Sequence, residues 1–109
     1  SETGKPSVRY KTKSGTCFGY YLFNDDKVAV QRVEFSDDCV LQHHIHPNSV
    51  EWLIVYKGSM EVEMDGETKI YGIGESVVFP PQKNHSVKAL ENLNLIAISV
   101  PADEGFPHE

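Results

Sequence analysis

Apolar and polar positions alternate with a period of two through much of the chain. Met60, Val62 and Met64 share one face of a segment, while Glu61 and Glu63 take the other. Such alternation marks a half-buried β-strand, whose successive side chains point to opposite faces. Residues 27–35 are rich in β-branched side chains and lie between two turn clusters, Asn24-Asp25-Asp26 and Ser36-Asp37-Asp38. Further strands are expected over residues 39–46, 50–57, 67–71, 75–80, 85–90 and 94–100, separated by turns such as Gly72-Ile73-Gly74 and Glu91-Asn92. No segment sustains an apolar period of 3.6, so no long helix is expected. About six to nine short strands with frequent turns predict an all-β sandwich or barrel.

Two segments carry finer expectations. The sharpest hairpin surrounds Asp65-Gly66. A two-residue turn there would pair Val62 with Lys69 and mix the faces. A three-residue loop, Asp65-Gly66-Glu67, instead pairs Met64 with Thr68 and Val62 with Ile70, and sets Glu63 opposite Lys69 on the wet side. The second register is expected, because a one-residue slip turns a whole face over. Cys17-Phe18-Gly19-Tyr20-Tyr21-Leu22-Phe23 is apolar on both faces. Cover on both sides is therefore expected, from the N-terminal arm or from a second copy of the chain, and a homodimer is the favoured reading.

With 109 residues the chain is expected to form one domain around one core. The core spans about residues 28–100, with an N-terminal arm or strand over 1–23 and an irregular tail over 101–109. Ser1-Glu2-Thr3-Gly4 is polar and reads as a remnant or as a cut from a longer chain. The net charge is −6 without a basic cluster, which disfavours nucleic acid and anionic membranes as partners. No stretch has the length of a membrane span and no signal-peptide pattern opens the chain. Cys17 and Cys39 are too few for a disulfide scaffold and form no CxxC pair. Two reduced, buried thiols in a cytoplasmic protein are expected, with a Cys17–Cys39 bridge as the other possibility.

The chemistry concentrates in His44, His46, Glu51 and His85, in a chain with five histidines. Residues i and i+2 of a strand share a face roughly 7 Å apart, so His44 and His46 can converge on one ion. His43 and Ile45 then point away. Glu51 opens the next strand across Pro47-Asn48-Ser49, where an antiparallel neighbour can present its carboxylate. His85 begins a later strand and would close the shell from across the barrel. A single inward histidine is usually a hydrogen-bonded core residue. Four such groups buried without a cation would leave costly unpaired polar atoms. Three imidazoles and a carboxylate suit Fe, Mn, Ni, Zn or Cu in the divalent state.

These residues carry a family resemblance. His44-x-His46-x4-Glu51-x6-Gly58 resembles the first cupin motif, and Gly74-x5-Pro80-x4-His85 resembles the second. The resemblance covers residues 28–100 and implies a double-stranded β-helix, or jelly-roll, barrel with a metal inside. Three positions depart from the motifs: Asp38 stands where the first begins with glycine, Gln82 replaces the glycine of the Pro-x-Gly turn, and Ala89 replaces the terminal asparagine. Similar cupins include dioxygenases and isomerases of sugars or uronates. The resemblance therefore implies a metal-dependent enzyme acting on a small organic molecule, with a non-catalytic, metal-dependent binding or sensing module as the alternative. Gln42 is the candidate pocket residue, because it shares strand parity with His44 and His46. Arg32 and Glu34 share a face that is read as solvated. Leu53, Val55 and Phe79 are candidate apolar walls, and Trp52 and Tyr56 point away from Glu51, toward packing or a subunit interface.

Overall fold

A computed structural model describes residues 8–103. The polar start at residues 1–4 and the last part of the tail, 104–109, lie outside the described residues. Among the described residues ten strands follow one another: β1 (Val8–Lys11), β2 (Thr16–Asn24), β3 (Ala29–Phe35), β4 (Val40–His44), β5 (Val50–Lys57), β6 (Met60–Met64), β7 (Glu67–Tyr71), β8 (Ser76–Phe79), β9 (His85–Ala89) and β10 (Asn94–Val100). That is one more than the upper end of the expected range, because the N-terminal arm supplies both β1 and β2. The described residues contain no helix.

The strands form two antiparallel sheets, one ordered β1-β2-β3-β10-β5-β8 and the other β4-β9-β6-β7. The larger sheet lays alternate side chains inward: Ala29, Gln31, Val33 and Phe35 from β3, Glu51, Leu53 and Val55 from β5, and Leu95 and Ala97 from β10. The smaller sheet answers with Leu41, Met60, Val62, Val87 and Ala89. Their apolar faces meet in one core, which period-two alternation requires of two packed sheets.

The β6–β7 hairpin corrects the expected register. Met64 pairs with Glu67, Glu63 with Thr68 and Val62 with Lys69, so the loop has two residues. Asp65 and Gly66 both take positive φ, 56° and 76°. Positive φ at both central positions is the type I′ pattern, whose twist matches that of the flanking strands. Mixing faces costs little here. β7 is the outer strand of its sheet, and Glu67, Thr68, Lys69 and Ile70 are all exposed.

Two of the departures from the motifs sit at left-handed positions. Asp38 has φ 65° and Gln82 has φ 67°. The backbone thus keeps the conformation that glycine would supply, with a side chain in its place. Gln82 N–H donates to the His46 carbonyl at 2.9 Å, so this turn braces the loop that carries His46. A left-handed L-residue costs roughly 1–2 kcal/mol, partly offset because glycine loses more entropy on folding. Gln82→Gly is expected to be neutral or to stabilise by up to about 1 kcal/mol, read as an unchanged or slightly raised Tm. A clear drop in Tm would show that the Gln82 side chain itself holds the turn.

Candidate metal centre

Four elements build the centre. His44 ends β4, and β4 pairs with β9 so that His44 lies opposite His85. His46 lies two residues past the end of β4, in the loop to β5, and Glu51 follows on β5. The expected placement is therefore reversed in one respect. His85 is the strand neighbour of His44, and Glu51 faces them both from the other sheet. The loop of residues 45–49 crosses between the sheets, which carries Glu51 over and leaves His46 between.

One potential ligand atom from each of His44, His46, Glu51 and His85 lies within 4.8 Å of the others. His85 is fully buried, and His46 and Glu51 are nearly so. The inner nitrogens share a pattern. Nε2 of His44, His46 and His85 is buried without a hydrogen-bond partner. His46 Nε2 and His85 Nε2 approach Glu51 Oε1 at 3.0 and 3.6 Å, but without hydrogen-bond geometry. The outer nitrogens are engaged. His44 Nδ1–H donates to the Gln42 carbonyl at 2.6 Å, and His85 Nδ1–H to the Lys83 carbonyl at 2.9 Å. His46 Nδ1 has the Asp103 carboxylate at 3.6 Å. Holding Nδ1–H outward leaves each Nε2 lone pair facing inward, the arrangement a metal-ligating imidazole needs. Buried nitrogens aimed at one point cost free energy unless a cation or proton meets them, so this donor set fits a divalent transition metal.

The electrostatics agree. Burial pushes His44 down to about 4, against the opposing bond to the Gln42 carbonyl, so its imidazole is neutral at pH 7. Burial also disfavours a charged His46, but the Glu51 and then the Asp103 carboxylates outweigh it and raise its pKa. Burial pushes the Glu51 carboxyl up, and the neighbouring His46 and His85 outweigh it, holding the group below its usual range. A cation that took His46 and Glu51 as ligands would displace whatever proton they hold, so its binding would release protons.

Around this cluster the other sequence candidates divide. His43 is exposed and pairs with Glu63 at 3.0 Å, outside the centre as parity predicted. Gln42 is exposed too and does not line the cavity beside the cluster. The pairing of β4 with β9 shifts register between Leu41 and His44, so Leu41 and His44 face inward while Gln42 does not share that face. Simple parity fails at such a bulge. The polar group that does line the cavity is Gln31, which is buried and was missed. Its signal was legible: it shares the inward parity of Ala29, Val33 and Phe35. Arg32 and Glu34 face outward, paired at 2.6 Å, with the guanidinium 4.2 Å from the Tyr20 ring centroid. Leu53 lines the cavity, Val55 belongs to the core, and Phe79 stacks on the His85 ring at 3.6 Å between centroids and 6° between planes. Asp103 comes from the irregular tail, and no sequence signal marked it. Ser49 Oγ–H donates to the Pro101 carbonyl at 2.8 Å and ties that tail to the loop.

The cavity runs inward from His44 and Glu51 between Val33, Phe35, Leu41, Leu53, Leu95 and Ala97. A double-walled antiparallel barrel, with three imidazoles and one carboxylate converging at the mouth of an apolar interior, is the design of a cupin. The cupin domain model (Cupin_2) matches residues 32–101, and the chain belongs to that family. The fold is similar to KdgF from Halomonas sp., at a TM-score of 0.79 and 22% identity, covering 89% of this chain and 90% of that one. It is also similar to an RmlC-like cupin from Shewanella frigidimarina, at 0.78 and 21%, covering 95% of each chain. A double-stranded β-helix protein of Klebsiella pneumoniae matches at 0.71 and 16%, covering 98% and 86%. No curated protein matches the sequence.

Proposed function

We propose that this chain holds a divalent transition metal through His44, His46, Glu51 and His85 and acts on a small organic molecule as a metal-dependent enzyme. The observation that carries the proposal is the set of inward Nε2 atoms, buried and unpartnered, beside a buried carboxylate at the mouth of a cavity. When bound, the ion would supply Lewis acidity or redox chemistry to a ligand oxygen. The protein supplies fixed imidazole tautomers, a buried anionic ligand and an apolar wall that excludes water. Reactions of the dioxygenase or the sugar and uronate isomerase type fall within this chemistry. Elemental analysis of protein purified without added metal tests the first half: stoichiometric Fe, Mn, Ni, Zn or Cu is expected. Substrate panels chosen by that metal test the second. A compound that raises Tm yet is never converted would instead favour a binding or sensing module.

Asp103 belongs to the same proposal. A carboxylate behind a ligating histidine fixes the ring and raises its basicity, and losing such a partner costs about 10–100-fold in metal affinity. Asp103→Asn is expected to weaken metal binding by roughly tenfold, measured by competition with a chromophoric chelator. Unchanged affinity would reduce Asp103 to a tail contact.

The homodimer is proposed on a second observation. On the outer face of the larger sheet, Val78, Trp52, Ile98, Val30 and Phe23 lie in register across successive strands. Trp52 is 45% exposed and Phe23 54% exposed. An apolar row of this kind marks an interaction surface more often than a solvated one. A second copy stacked sheet on sheet would cover it and supply the outer cover expected for β2. Trp52→Glu is expected to convert a dimer into a monomer in light scattering, with metal content unchanged. Wild-type protein that is monomeric at every concentration would refute the dimer. Cys17 and Cys39, both buried and not joined in a disulfide, fit the cytoplasmic placement proposed for the chain.

A further inference from the structure

The cavity behind the centre restricts what can bind there, which deepens the proposed function and rests on it. Its lining holds three polar side chains, the candidate ligands His44 and Glu51 and the amide of Gln31. Among the described residues no lysine or arginine lines it, and Arg32, the nearest in sequence to Gln31, is turned outward against Glu34 and Tyr20. The cavity is also tight, with a volume of about 20 Å³. One water needs roughly 10–15 Å³ by the same measure, so only a few heavy atoms fit without displacing side chains.

Charge gives the second restriction. Three neutral imidazoles and one carboxylate leave a divalent ion with a net charge of +1, from +2 and −1. A net charge beside an apolar cavity is costly unless a counter-charge enters with the ligand. A polyhydroxylated ligand meets the opposite difficulty. Apart from one that reaches the Gln31 amide, each hydroxyl pushed among Leu41, Leu53, Val87 and Leu95 gives up water without a donor or acceptor in return. Each such unpaired group weakens binding by about tenfold or more.

We infer that the ligand of this site is a short-chain monoanion, with one anionic oxygen donor for the metal and a compact apolar body of a few carbons for the cavity. Among the reaction types above, this selects against sugar acids. The carboxylate or enolate oxygen neutralises the centre, and the carbon body fills the space between β3, β10 and β5 of one sheet and β4 and β9 of the other.

Isobutyrate, isobutyramide and galacturonate separate the two restrictions. Isobutyramide keeps the shape and loses the charge, while galacturonate keeps the charge and adds hydroxyls. Each is titrated calorimetrically into protein whose metal content has been verified. Isobutyrate is expected to bind at least tenfold more tightly than either. Ala97→Leu, which fills the cavity away from the four ligands, is expected to retain metal and to weaken isobutyrate binding at least tenfold. Ala97→Val serves in its place if the leucine variant does not fold. Loaded protein that prefers galacturonate, or does not distinguish isobutyrate from isobutyramide, overturns the inference and leaves the metal site standing. Isobutyrate binding untouched by the filled cavity overturns it as well. Protein that never takes up stoichiometric metal takes down the proposed function and this inference together.

Discussion

His85→Ala is expected to abolish stoichiometric metal binding and, with it, the stabilisation that metal confers. His85 is fully buried, opposite His44 in the β4–β9 pairing, with its ring stacked on Phe79 and its Nδ1–H held by the Lys83 carbonyl. No other described side chain stands ready to replace it, because His43 is turned outward to Glu63. Losing a mere outer partner of a ligand costs about 10–100-fold, so losing a ligand is expected to cost more than about 100-fold. The readout is differential. A metal at 100 times its Kd stabilises the wild type by about 2.7 kcal/mol, worth roughly 10–20 °C in Tm for a domain of this size. The variant is expected to show no metal-dependent shift, whatever its metal-free Tm. That comparison removes the cost of the cavity the substitution leaves. A variant that keeps one equivalent of metal and the full shift would refute the four-residue centre.

Gly58→Ala is expected to destabilise the whole domain, independently of any metal. Gly58 turns the chain between β5 and β6 with φ 73°, where a Cβ is disfavoured. A Cβ there would also stand 2.1 Å from the Glu91 carbonyl oxygen and 2.5 Å from that of Asn92. Those are backbone atoms, so the β9–β10 turn itself would have to move. The left-handed conformation costs roughly 1–2 kcal/mol and the overpacking about 1–3 more. A total near 2–5 kcal/mol is a large part of the usual 5–15 kcal/mol stability and lowers Tm by about 10 °C or more. Urea or thermal melts of the metal-free protein give the value directly. Gly66→Ala offers a contrast, because its φ is 76° but no atom lies within 4 Å of the added methyl. Equal losses at both sites would mean that the close approach at Gly58 contributes nothing.

Some of this was readable in one dimension. Period-two alternation located β6, and β-branched runs bounded by turn residues located β3, β5, β7 and β10, to within a residue or two, because both are local consequences of forming and burying a strand. The four centre residues were readable as well, since His44, His46, Glu51 and His85 form a donor set that has no inexpensive alternative inside a barrel. His43, adjacent in sequence, points away toward Glu63, as strand parity requires.

The errors all arose where neighbours in space, rather than in sequence, decide. The hairpin register followed turn geometry at Asp65-Gly66 on an outer strand, where the pattern of faces had little weight. Gln42 left the inner face because a bulge between Leu41 and His44 breaks the parity that extrapolation from His44 assumed. Asp103 reached His46 from a tail without any pattern.

The all-β class, the positions of most strands and the identity of the residues around the centre are thus encoded locally along the chain. These follow from side-chain periodicity and donor chemistry, which are properties of short stretches of chain. That His85 pairs beside His44 while Glu51 faces them from the other sheet, and that Gln31 rather than Gln42 lines the cavity, depends on how the sheets pack. Pairing between strands distant in sequence is set by how two apolar faces close over one core, and no local pattern encodes which strands become neighbours.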